Sequence, residues 1–419
     1  MRNIIGSLDP SEGKVYIWGA GFSGLVLGYY LKKAGLRVTI YEKEARAGGK
    51  IQTLKTPAGL SETGANALFL NYDGLELLEE LKMDILPASP KLKRLLFLDG
   101  KARSPFRIKT ILKVASRLHR RPPLLTDGLS VADFFRPLLG DELISQYLST
   151  VLGGVYATTA DNLHFKSLFW EVASYSQFKS YYEFFKTLMK IKKSQPRPRI
   201  KGSVSFEGGM GELVNRLYEL LKDDIRLSTH QEFYPKKNTV ICTDAHSAAD
   251  LLEKYRPEMS EELRRINYQM LSSVTIFLHR QIKPLVNSFG VLIPKNSNFH
   301  ASGILNNKAI FPANNPNIYS YTLISPQKLT EEQIKSDLRK LQPSLLNEDF
   351  EFIQINYWQK AIPLYDLNRY LAIDRLHTLA QDTNLCLFGN YVAGISLREM
   401  VSAAKKFAAD IKLTGGSNE

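Results

Sequence analysis

Gly19-Ala20-Gly21-Phe22-Ser23-Gly24 constrains this chain more than any other segment. The apolar run Val15-Tyr16-Ile17 precedes it, and Leu25, Leu27, Tyr30 and Leu31 follow at helical spacing. Gly35 stops that helix, and Arg37 to Tyr41 forms a second strand that ends at Glu42. Strand, tight turn, helix and strand in this order open a doubly wound α/β sheet. The glycines permit the turn and let backbone amides approach a pyrophosphate, which the helix N-terminus attracts. Glu42 lies 18 residues after Gly24, where a carboxylate accepts bonds from an adenosine ribose. Gly19, Gly21, Phe22, Ser23, Gly24 and Glu42 are therefore expected at a dinucleotide.

A second motif follows at once: Glu42-Lys43-Glu44-Ala45-Arg46-Ala47-Gly48-Gly49-Lys50. A glycine pair after an arginine lets backbone lie flat against a flavin while the cation sits near its phosphates. Lys43, Arg46, Gly48, Gly49 and Lys50 join the expected site, and FAD is favoured over NAD. A third motif, Phe388-Gly389-Asn390-Tyr391-Val392-Ala393-Gly394-Ile395-Ser396-Leu397, is a glycine-punctuated strand-to-helix turn. Gly389, Asn390, Gly394, Ile395 and Ser396 are expected to close over the isoalloxazine and ribityl chain. The helix from Leu397 would aim its amides at the flavin's carbonyl edge.

Residues 75–195 read as mostly helical, 196–198 as a linker, and 266–360 as short strands of an antiparallel sheet. The expected class is α/β, a Rossmann-type FAD-binding domain with an α+β substrate domain and a helical insertion. The FAD-binding domain takes 1–74, 202–250 and 366–419, the substrate domain 75–100 and 251–365, and the insertion 101–201.

The net charge of +13 is local. Residues 101–121 hold eight Lys/Arg and no Asp/Glu; residues 179–201 hold eight and one. Lys109, Lys113, Arg117 and Arg121 recur every four residues beside Ile108, Ile111, Leu112, Ala115 and Leu118. Tyr181, Tyr182, Phe184, Phe185, Leu188, Met189 and Ile191 lie among the second set of lysines. Two solvated helix faces explain this, and so does a patch lying on an anionic membrane surface. No nucleic-acid partner is expected, because no helix-turn-helix, zinc-finger or RNA-binding signature is present. Two cysteines, Cys242 and Cys386, and no apolar leader fit a cytoplasmic protein, peripheral on the cytoplasmic membrane. No Cys/His cluster has metal spacing, so no metal is expected.

The flavin motifs resemble those of amine-oxidase-like flavoproteins. Further blocks, in family order, resemble the oxygen-using, FAD-dependent protoporphyrinogen and coproporphyrinogen oxidases. Glu62-Thr63-Gly64-Ala65-Asn66 is similar to that family's E-x-G-[AP]-[ND] turn, which implies that Gly64, Ala65 and Asn66 meet the cofactor. Residues 93–101, 153–163, 206–217, 289–316 and 358–365 are similar to its other blocks. Two departures stand out: Thr158-Thr159 replaces a Gly-Asp pair, and only six residues separate Phe233 from Val240, where a hairpin is usual.

The resemblance implies oxidation of a porphyrinogen to a porphyrin, a step of haem biosynthesis. Six electrons go to molecular oxygen through non-covalent FAD. Cys386 is not placed like the cysteine that tethers FAD in monoamine oxidases. The chemistry would be flavin-borne, with no catalytic side chain. Arg94 matches the family's carboxylate-binding arginine, and Tyr156, Ala157, Trp358 and Tyr365 are further substrate-side candidates, with plain packing as their alternative. An amine oxidase or desaturase of the same superfamily, or a flavoprotein without turnover, stays open.

Overall fold

A computed structural model describes residues 4–105, 108–229, 232–312, 317–381 and 383–415. Strands Lys14–Trp18 and Arg37–Tyr41 pair in parallel, with the Phe22–Lys33 helix crossing between them. Val15, Ile17, Val38 and Ile40 alternate inward and are buried, as the sequence pattern requires. The parallel sheet runs in the order Ile225–Arg226, Arg37–Tyr41, Lys14–Trp18, Thr239–Ile241, Leu385–Leu387. Leu25, Leu27 and Leu31 share a core with Leu213 and Leu217 of the Gly211–Leu221 helix and Val401 of the Leu397–Gly415 helix. A Cβ on Gly28 would sit 2.8 Å from Ile40 Cδ1, so glycine is what lets this helix lie close to the sheet. The Tyr72–Glu80 helix buries Leu75, Leu77 and Leu78 in the same core, so the break from this domain falls after residue 80 rather than after 74.

The second sheet has seven strands in the order Phe350–Pro363, Tyr268–Leu278, Tyr319–Ser325, Gly303–Asn306, Ser288–Leu292, Lys93–Leu98, Lys101–Arg103. All neighbours are antiparallel except Lys93–Leu98 beside Ser288–Leu292. Two features differ from the sequence reading. Residues 93–103 form the hairpin that the resemblance of residues 93–101 implies, interrupting the stretch whose pattern reads as mostly helical, and the two longest strands run eleven and fourteen residues where short strands are expected. Apolar Val274, Ile276, Tyr321 and Leu323 pack under the Glu331–Leu341 helix. The opposite face is polar: Thr275 bonds Ser61 at 2.8 Å, and Thr322 Oγ1 donates to Asn66 Oδ1 at 3.3 Å. The first domain therefore meets this face through its 61–66 turn.

The helical insertion is centred on Phe134, Phe165, Tyr181 and Phe184, all fully buried. This corrects the reading of the second basic segment. On the Tyr181–Ser194 helix, positions 181, 184, 185, 188 and 191 share one face, which packs into that core; of the helix's large apolar residues only Tyr182 and Met189 are exposed. The first segment differs as well. The Ile108–Ala115 helix ends before Arg117 and Arg121, so the four-residue basic stripe is interrupted. Half-buried Arg117 and exposed Arg120 donate to the carbonyls of Leu138 (3.2 Å) and Pro137 (3.0 Å), at the C-terminal end of the Val131–Leu139 helix. Ile108, Ile111 and Leu112 stay exposed.

Candidate functional site

At Gly24 and Gly49 the glycine turn is held by contacts that leave no room for a side chain. A Cβ on Gly24 would lie 1.9 Å from the Gly19 carbonyl oxygen, and one on Gly49 would lie 3.2 Å from Gly21 Cα. Gly48 and Gly49 have φ of 107° and 58°, the left-handed region that favours glycine, and Gly48 bridges to Gly21. Glu42 accepts the N–H of Ala20 at 2.8 Å and of Glu44 at 3.0 Å, which fixes its carboxylate beside the turn. Ser23 Oγ donates to Met400 Sδ at 3.1 Å, so the first turns of the Phe22–Lys33 and Leu397–Gly415 helices meet. Two helix N-termini thus converge, as an anionic pyrophosphate with an attached ring requires. Ser396 Oγ, at the start of the second helix, is buried without a partner among the described residues. An orphaned hydroxyl at that place fits a bound group supplying the missing bond.

The predicted cations are placed differently from one another. Lys43 is exposed beside Glu44. Arg46 donates to the carbonyls of Ala47 (3.2 Å) and Gly49 (2.6 Å), so it braces the glycine loop from within. It also lines a cavity of about 530 Å³ between this loop and the Gly211–Leu221 helix. Lys50 is half-buried and donates to the carbonyls of Ala361 (3.1 Å) and Lys360, clasping the end of the longest sheet strand; burial lowers its pKa to about 8. Next to it, a Cβ on Gly64 would meet the Lys50 carbonyl oxygen at 2.4 Å. Ala65 and Asn66 continue that turn onto the polar sheet face.

Tyr365 is buried and donates its hydroxyl to the Asn390 carbonyl at 3.1 Å. Its ring lies 5.5 Å from Tyr156, and both pack with Ile395. Burial raises both phenol pKa values, that of Tyr365 to about 12, so both stay neutral. Trp358 Nε1 donates to the Thr63 carbonyl at 2.6 Å and pins the sheet to the 63–66 turn. Ala157 has φ 55° and ends the Ser149–Tyr156 helix. Tyr156, Tyr365, Asn390 and Ile395 are thus brought together. Arg94 is apart: it is exposed, and its guanidinium lies 5.2 Å above the Phe289 ring.

Two groups escaped the sequence reading. Glu62 accepts from Thr53 Oγ1 and from the N–H of Met210 (2.8 Å), and burial pushes its carboxyl up to about 7. Arg369 is fully buried; Nε donates to the Tyr391 carbonyl at 2.8 Å, and the guanidinium lies 3.6 Å above Tyr365. Its signal was an arginine in register with Ala372, Ile373 and Leu376 on a buried helix face. Among the described residues no group of His, Cys, Asp and Glu is placed to hold a metal ion.

A family model described as flavin containing amine oxidoreductase matches residues 22–411. The chain is 26% identical to protoporphyrinogen oxidase 2, chloroplastic/mitochondrial, of Arabidopsis thaliana, covering 97% of this chain and 95% of that one. It is 28% identical to coproporphyrinogen III oxidase of Staphylococcus aureus (strain NCTC 8325 / PS 47) over 46% of each chain. Among solved structures it is similar to "Putative protoporphyrinogen oxidase" from Exiguobacterium sp. 255-15, with a TM-score of 0.75, 18% identity and coverage of 96% and 99%.

Proposed function

The chain belongs to the flavin containing amine oxidoreductase family and its cofactor is FAD; from that premise we propose that it oxidises a porphyrinogen to a porphyrin, as in haem biosynthesis, with oxygen as the final acceptor. What carries the reading is the similarity to a protoporphyrinogen oxidase along 97% of the chain.

FAD, when bound, supplies a two-electron acceptor. The two converging helix N-termini and the glycine turn would hold its pyrophosphate, and the 389–396 turn its ring. A porphyrinogen gives up six electrons, hence three passes, each removing a hydride from a bridge carbon and a proton; two of the three protons leave pyrrole nitrogens and the third leaves the fourth bridge carbon. The pyrrole nitrogen stabilises the developing cation, so the reaction asks no strong base of the protein. The neutral phenols of Tyr156 and Tyr365 suit that demand. Beside them a flat macrocycle would be oriented and kept from water, which is positioning catalysis. Arg94 would fork onto a propionate.

The same reading places the protein on an anionic membrane surface, on the cytoplasmic side. Exposed Ile108, Ile111, Leu112 and Tyr182 within the basic segments support it. Among the described residues no helix is long and apolar enough to cross a membrane.

Anaerobic mixing of the FAD-loaded protein with coproporphyrinogen, protoporphyrinogen and cyclohexylamine tests the function. Bleaching of the flavin absorption by a porphyrinogen is the expected result. Bleaching by the amine alone would transfer the chain to the amine oxidases.

A further inference from the structure

A cavity of about 540 Å³ separates the helical insertion from one end of the seven-stranded sheet. Thr158, Thr159 and Asn162 form part of one wall, and Lys295, Asn296 and His300 part of the other. Two acidic groups lie at or near the cavity. Asp161, in its wall, is bonded by Arg136 at 3.0 Å, and Arg136 also pairs with Asp133 and Asp141. Asp337 is fully buried and accepts from the N–H groups of His300 (2.9 Å) and Ala301 (2.8 Å) and from Lys340 Nζ (3.0 Å). It also faces His300 Nδ1 at 3.1 Å; because a carboxylate only accepts, Nδ1 carries the proton. Asp337 thereby orients the imidazole; Nε2 has no partner among the described residues, and it donates to a carboxylate only in the imidazolium, which carries both ring protons. Lys295 is exposed with no ion-pair partner among the described residues. The Thr159 hydroxyl and the Asn296 amide are likewise uncommitted among them. The Lys295 ammonium, the Thr159 hydroxyl and the Asn296 amide are therefore the donors this cavity leaves uncommitted among the described residues.

The cavity also has a fixed relation to Arg94. Arg94 pairs with Gly290, two residues from Leu292 on the same sheet face. Leu292 Cδ2 lies 2.7 Å from where a Gly154 Cβ would sit, so the Ser149–Tyr156 helix closes on that face between Arg94 and the cavity. From Gly290 to Pro294, at the cavity's rim, is about 13 Å at roughly 3.3 Å per residue.

We propose that this cavity is a second carboxylate-binding site, which takes a pendant carboxylate of the ligand at the edge of the macrocycle remote from Arg94. Lys295 and His300 are the binding residues, and Asp337 is a positioning residue acting through His300. The assignment rests on the porphyrinogen reading and sharpens it: carboxylates on opposite edges of one ring would occupy both ends of the face.

Oxidised porphyrins, which bind without turnover, test this on the FAD-loaded protein. Coproporphyrin III and its tetramethyl ester are titrated by fluorescence quenching, with succinate as a free-acid competitor. Lys295→Ala and His300→Gln should each weaken coproporphyrin roughly fivefold, the scale of a half-solvated ion pair. Thr159→Asp should weaken it at least as much. The ester should bind more weakly and ignore all three substitutions, while the flavin spectrum stays unchanged. Competition by succinate that Lys295→Ala abolishes would support the carboxylate chemistry with a free acid as its source. Coproporphyrin binding that all three variants leave intact would overturn the site and spare the porphyrinogen reading. A wild-type protein that binds neither porphyrin nor succinate would overturn both.

Discussion

The glycine turn at 19–24 and the cavity between residues 157–162 and 293–302 recognise ligands in opposite ways. In the turn, consecutive residues carry the geometry through backbone contacts, such as the 1.9 Å that a Gly24 Cβ would leave to the Gly19 oxygen. In the cavity, side chains from segments more than a hundred residues apart converge, and a buried carboxylate on a third element, Asp337, aims one of them. Backbone-built sites tolerate almost no substitution, whereas side-chain-built sites lose affinity in increments.

The largest expected effects lie in the turn. Gly24→Ala should abolish FAD retention and lower the melting temperature, because the new methyl meets backbone. Gly21→Val should abolish FAD retention while the chain stays folded, because only Gly49 Cα lies within 4.0 Å of its Cβ position. Yellow, FAD-loaded Gly21→Val protein would break the contrast between the two sites.

Arg94→Ala comes next. A charge-assisted hydrogen bond contributes roughly 1.5–3 kcal/mol, so kcat/KM for a porphyrinogen should fall about 10- to 150-fold, mostly through KM. FAD content should not change. Arg94→Lys should recover only part, since a point charge lacks the fork. Unchanged kinetics would leave Arg94 as the surface cation that its position above Phe289 allows.

Glu62 tests the backbone side by pH. Burial holds its carboxyl at about 7 against an ordinary 4.5. Between those values the folded chain keeps a proton that the unfolded chain releases, so stability falls as pH rises through this window. Glu62→Gln keeps an acceptor for Thr53 and Met210, and should flatten that slope and stabilise the protein at pH 8 by on the order of 2 kcal/mol. Parallel melting curves for both proteins from pH 5 to 8 would contradict it.

The smallest effect concerns the membrane. Each near-surface Lys or Arg contributes about 1 kcal/mol on an anionic bilayer, screened by salt. Leu112→Asp, on the exposed face of the Ile108–Ala115 helix, should reduce flotation with anionic vesicles without changing the melting temperature. Equal flotation with neutral and anionic vesicles would remove the electrostatic contribution.

The same contrast explains what was legible. The parallel sheet, its crossing helix and the final helix were readable because period and glycine position are local properties. The aromatic lysine-rich segment misled because composition does not say which face is buried: Tyr181 and Phe184 belong to a core that Phe134 and Phe165 complete from other helices. Arg117 misled for the same reason, since the carbonyl that binds it lies about twenty residues away on another helix. Arg369, Glu62 and the His300–Asp337 pair were illegible, because each acquires its role only from partners that folding brings together.

The central claim is that a macrocycle passes three times over one FAD, and the stoichiometry of aerobic turnover tests it most directly. The FAD-loaded protein is given a limiting amount of coproporphyrinogen or protoporphyrinogen, and porphyrin and hydrogen peroxide are measured together. Three peroxides per porphyrin, from at least one of the two substrates, is the predicted result. Porphyrin formed no faster than in protein-free buffer, with no peroxide beyond that control, would contradict it.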